Sequence, residues 1–135
     1  MVRGGGYTGC QGGIFTGVVS AETAGAQGLC LLMLELPPGT RAQPHVHASH
    51  ESAVMIISGT VDVWHGPGLA DHVVLQPGDC LLIPADVPHL PINIGSDTML
   101  AVVARTDPRE QESVRVLDLP EHLADYARLP VAGVS

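Results

Sequence analysis

The chain has 135 residues, six arginines, no lysine and 14 acidic residues, for a formal charge of −8. At this length one domain spanning residues 1–135 is expected, able to bury about two-thirds of its unfolded surface without staples. The acidic balance excludes nucleic-acid binding through a basic face, since phosphates would be repelled, and the lack of lysine excludes lysine Schiff-base chemistry.

In chain order, Met1 to Gly13 is glycine-rich without an apolar block, so it reads as a frayed end and not as a secretory signal. Aliphatic and β-branched runs follow at Ile14–Val19, Leu29–Leu36, Ala53–Ser58, Thr60–His65, Cys80–Pro84 and Met99–Arg105, separated by glycine and proline. Short strands with turn residues between them predict an all-β sandwich or barrel. The longest apolar run, Leu29–Leu36, contains Glu35 and is far too short to span a membrane. Past Arg105 the chain turns polar, with Asp107, Glu110 and Glu112 reading as a solvated charge cluster. Val114, Val116 and Leu117 suggest one last strand. Asp118, Pro120 and Glu121 then have the order of a helix start, predicting a short C-terminal helix to about Arg128 that buries Leu123 and Tyr126. Cys10, Cys30 and Cys80 form no CxxC pair, and an odd, scattered count fits a reducing, cytoplasmic setting. Cys30 and Cys80 lie in apolar runs and read as small buried side chains, as do Met33, Met55 and Met99.

Histidine is the outlier, with seven copies against two tyrosines, one tryptophan and one phenylalanine. In a strand, side chains alternate faces, so His45 and His47 point to the same side. A carboxylate, Glu51, follows four positions later, and Pro44 suits a strand start. A second stretch, Gly78 to Asn93, reads as a turn, a buried strand, a tight turn at Pro84–Asp86 and then His89 on the next strand. His65, His72 and His122 lie in turn or tail contexts and read as surface residues. Gln43 shares strand parity with the two histidines. Arg41 precedes them and reads either as a solvated turn residue or as one that reaches a cavity mouth to bind a substrate carboxylate, and Trp64 lines a cavity or covers an interface.

Taken together these residues resemble the cupin family. Its first motif runs glycine, five residues, HxH, three or four residues, glutamate, about six residues, glycine; Gly39, His45, His47, Glu51 and Gly59 match it, with seven residues in the last gap. Its second motif is matched by Gly78, Pro84, His89 and Asn93, with Asp86 standing where the family has glycine. Aspartate tolerates the left-handed conformation better than most residues, so that turn is expected to survive. The resemblance covers roughly Leu29 to Arg105.

It implies a jelly-roll barrel, the double-stranded β-helix, with a barrel core at about 29–105 flanked by an N-terminal strand and a C-terminal tail. It further implies that His45, His47, Glu51 and His89 hold one divalent transition metal: iron, manganese, nickel, copper or zinc. His50 is the substitute ligand if the extra residue before Gly59 rotates Glu51 away. The substrate would be a small organic molecule meeting Arg41, Gln43 and Trp64, with no nucleic-acid or membrane partner, and the family is often a homodimer. The chemistry implied first is of dioxygenase type. The alternatives are a Lewis-acid cyclase, isomerase or decarboxylase, and a non-catalytic metal-dependent binding module.

Overall fold

Inward and outward positions alternate strictly along Met99–Arg105, where Met99, Ala101, Val103 and Arg105 are all buried. That strand sits in the middle of one of two antiparallel sheets in the computed structural model, which describes residues 1–111 and 113–133. The strands are β1 (Gly5–Thr8), β2 (Ile14–Val19), β3 (Cys30–Leu36), β4 (Thr40–Arg41), β5 (His45–His47) and β6 (Ser52–Ser58). They continue with β7 (Val61–His65), β8 (Asp71–Leu75), β9 (Cys80–Ile83), β10 (His89–Asn93), β11 (Met99–Arg105) and β12 (Val114–Val116). The first sheet runs β1-β2-β3-β11-β6-β9, and the second runs β12-β5-β10-β7-β8 with β4 paired to β10. This is the all-β double-stranded β-helix that the family resemblance implies.

The two sheets close over one core. Leu36, Ile56, Met99 and Ala101 of the first pack with Val61, Val63 and Leu75 of the second. Gly59 makes the β6–β7 turn at φ +72, where a Cβ would fall 2.5 Å from the Thr98 carbonyl oxygen, so only glycine fits there. At the motif's second turn Asp86 adopts φ 64, as expected for the residue replacing glycine. Its N–H donates to the His47 carbonyl at 3.0 Å, tying the β9–β10 turn to the end of β5.

The C-terminal helix forms as a 3-10 helix, Glu121–Arg128, burying Leu123 and half-burying Tyr126. Together with Leu69, Leu90 and Ile92, Leu123 makes a second cluster on the outside of the second sheet, and Trp64 packs against it.

Several expectations are corrected. The glycine cluster is not merely a frayed end, because Gly5–Thr8 adds an edge strand to β2. Strand β8 was not anticipated, nor was the single helical turn Ala21–Ala24, capped by Ser20. Cys30 is buried, whereas Cys80 and Met55 are exposed because both face outward on the first sheet. Asp107 is buried and faces His50 and Arg109, so it is no solvated loop residue. Glu110 is half-buried, and Glu112 lies outside the described residues. Among the described residues no helix is long and apolar enough to cross a membrane.

Candidate metal centre

Strand parity and register bring three imidazoles together. His45 and His47 both point inward from β5, and the antiparallel register of β10 sets His89 directly opposite His45. The rings of His45 and His89 have centroids 4.1 Å apart, and His47 lies 5.1 Å from His45 and 5.2 Å from His89. All three are buried, and each offers one ring nitrogen within 4.8 Å of the other two.

The hydrogen bonds around the rings prepare them as donors. His45 Nδ1 donates to the Gln43 carbonyl at 2.7 Å, and His89 Nδ1 donates to the Val87 carbonyl at 3.0 Å, each two residues back along its own chain. A ring whose Nδ1 carries the proton presents the Nε2 lone pair, which is the tautomer a metal needs. Burial then keeps the rings neutral. It pushes His47 down to about 2, assisted by the neighbouring His89, and His89 down to about 4; His45 lies well below its ordinary value for the same reason. Three buried, neutral, convergent imidazoles fit a divalent transition metal of the imidazole-preferring kind.

Glu51 does not join them. It lies exposed in the turn before β6, where its N–H donates to Thr106 Oγ1 and its carbonyl accepts from the Thr106 N–H. The first inward position of β6 belongs to Ser52, which is 3% exposed and lines the cavity with the histidines. Reading the first motif with four residues after HxH and six before Gly59 puts the glutamate position at Ser52, so this chain carries a serine there. His50 is buried, but its Nδ1 meets the Ala48 carbonyl at 3.2 Å and lies 3.7 Å from Asp107, and it is absent from the three-histidine group.

Arg41, Gln43 and Trp64, expected at a substrate pocket, are not among the residues that line the histidine cavity. Arg41 Nε donates to the Tyr126 carbonyl and its Nη1 to the Ala42 carbonyl, which ties it to the C-terminal segment. The backbone of Gln43 bridges Gln11 and His45, while Ala42 supplies the cavity wall. Trp64 faces out of the barrel, stacked on His72 at 4.2 Å, because Val61 and Val63 hold the inward positions of β7. The cavity is walled by apolar side chains such as Phe15, Leu34, Val54 and Ile56. Its polar members besides the histidines are Gln11, Ser52 and Arg105, none of which the sequence reading singled out. The strict alternation of β11 was the signal for Arg105. Asn93 of the second motif is structural: its Nδ2 donates to the Leu36 and Asp97 carbonyls, and its Oδ1 accepts from the Gly95 N–H.

Comparison with known proteins agrees with this architecture. The profile of the "Cupin domain" family matches residues 32–105. A curated relative, germin-like protein 3-1 of Oryza sativa subsp. japonica, is 30% identical over 91 residues. That alignment spans 63% of this chain and 39% of the relative, so the chain matches well under half of the relative's length. Among solved structures, an uncharacterized double-stranded β-helix protein from Klebsiella pneumoniae superposes with a TM-score of 0.66 at 17% identity, covering 83% of this chain and 90% of that one. An oxalate decarboxylase from Lactobacillus farciminis superposes with a TM-score of 0.69 at 19% identity, covering 84% and 33%. An oxalate oxidase solved with the substrate analogue glycolate gives 0.68 at 20% identity, covering 80% and 56%. At these identities the structural matches establish the fold.

Proposed function

This chain belongs to the cupin domain family, and from that premise we propose a single-domain, metal-dependent enzyme acting on a small organic molecule, an oxidoreductase of dioxygenase type. The observation that carries the reading is the convergence of neutral His45, His47 and His89 on the wall of an otherwise apolar cavity. These imidazoles would hold one iron, manganese, nickel, copper or zinc ion. A redox-active ion there supplies a place for dioxygen and substrate to meet. The protein's own part is positional. The Gln43 and Val87 carbonyls fix two ring tautomers, and Phe15, Val54 and Ile56 keep water from the reacting face.

The reading is tested by measuring metal content together with oxygen uptake on untagged protein, over a panel of catechols, thiols and diketones. A bound redox-active ion with substrate-dependent oxygen consumption is expected. Tight zinc without oxygen uptake would replace this reading with a Lewis-acid cyclase, isomerase or decarboxylase. Ligand binding without turnover of any panel member would replace it with a binding module.

The same chain is proposed to be a cytoplasmic homodimer. Cys10 and Cys80 are free and exposed, which suits a reducing compartment. The outer face of the first sheet exposes Leu31, Met55, Ile57 and Leu82, and Leu82 keeps 61% of its surface in water. A contiguous apolar sheet face of this kind is where a second copy would be seated. Light scattering is expected to give twice the 14.0 kDa chain mass, with Leu82→Glu shifting the protein to monomer. A monomeric wild type removes the homodimer.

A further inference from the structure

Arg105 is a buried charge that lacks the partner such a charge ordinarily has. It is 4% exposed, yet no carboxylate lies within ion-pair distance of it among the described residues. Its Nη1 donates to the Glu110 backbone carbonyl and its Nη2 to the Tyr7 hydroxyl, both at 2.9 Å. Two of the five N–H groups of the guanidinium are thereby engaged. The Glu110 carboxylate instead accepts from Ser20 Oγ at 2.8 Å. Taking a guanidinium out of water is unfavourable unless a negative group meets it, and no carboxylate of the described fold lies within ion-pair distance of this one.

A second orphan sits beside it. Register pairs Arg105 of β11 directly with Ser52 of β6, and both are inward-facing and line the histidine cavity. Ser52 Oγ is buried and has no hydrogen-bond partner. An unmet hydroxyl next to an unpaired guanidinium matches one kind of group: a planar anion that accepts from both.

We propose that Ser52 and Arg105 form the anchor for the carboxylate of a small, singly charged organic acid whose apolar body fills the cavity beside the three histidines. The cavity holds one arginine among mostly apolar walls, so the protein's own side chains match one negative charge. The absent protein carboxylate and the proposed ligand carboxylate are complementary. Where the family motif places a glutamate this chain leaves a hydroxyl, an unpaired cation and room.

The proposal names the substrate class for the site described above and rests on that reading, but its test separates the two. The cobalt(II)-loaded full chain is titrated calorimetrically with 3-methylbutanoate and with its uncharged isostere 3-methylbutanamide, and cobalt content is measured on the same samples. Wild type is expected to bind the acid about tenfold more tightly than the amide. Arg105→Gln should erase that preference and Ser52→Ala should reduce it several-fold, both with wild-type cobalt content. An undiminished preference in Arg105→Gln, or no acid binding by wild type, overturns the anchor. If Arg105→Gln does not fold, Ser52→Ala decides, and an unchanged acid-to-amide ratio there overturns it. A wild type that holds no cobalt while keeping an Arg105-dependent acid preference would remove the metal reading and leave the anchor standing.

Discussion

His89→Ala is expected to lose the metal while keeping the barrel. His89 lies opposite His45 in the β5–β10 ladder, so its removal takes away one of the three donors grouped there among the described residues and leaves two on a single strand. Even partners outside the ligand shell change metal affinity by about 10- to 100-fold, so deleting a ligand should exceed ~100-fold. The backbone around it stays anchored, because Leu90 and Ile92 on the same strand remain packed under the C-terminal helix. Metal content after dialysis, read beside the far-ultraviolet circular dichroism of the same sample, checks this. Equal metal in wild type and variant, with both folded, would show that the three-histidine cluster is not the metal centre.

The metal-free chain is expected to be unusually sensitive to mild acid. An unfolded histidine takes up its proton near pH 6.5. In the folded chain burial holds His89 down to about 4 and His47 down to about 2, with His45 also well below its ordinary value. Between pH 6.5 and about 4 the unfolded state therefore binds protons that the folded state refuses. Stability is fully present above pH 6.5 and falls as the pH drops through this window. His47 and His89 each account for on the order of a few kcal/mol of that loss, comparable with a large part of a small domain's net stability. Thermal melts of chelator-treated protein from pH 7.5 to 4.5 should show a steep decline, less steep in His89→Ala because one such group is gone. A melting temperature that stays level down to pH 5 would contradict the burial of neutral imidazoles.

The legible part of this molecule is what alternation alone determines. His45 and His47 two apart on a strand share a face whatever the rest of the chain does, and β5 places them so. Likewise Met99, Ala101, Val103 and Arg105 are one inward row, so Arg105 was readable in principle. Glu51 was not placed correctly because parity is defined only once a strand's first residue is known. Strand β6 starts at Ser52, which leaves Glu51 in the preceding turn. Trp64 illustrates the converse: with Val61 and Val63 inward, the intervening parity carries its ring outside, under the C-terminal helix. Arg41 was invisible as a tether because its distant partner, the Tyr126 carbonyl, is a backbone group whose position depends on the tail docking. Strand β1 is glycine-rich and has little propensity of its own; pairing with β2 and the stacking of Tyr7 on Phe15 at 4.7 Å hold it in place.

With serine rather than glutamate at position 52, no carboxylate lines the histidine cavity among the described residues. Three imidazoles bring no negative charge to an ion, and Arg105 in the same cavity adds a positive one. Were a redox-active ion held by these histidines, such surroundings would favour its lower-valent form, since a higher-valent form is stabilised by anionic donors. An ion held there would rise in valence more readily once an anionic ligand had brought negative charge beside it.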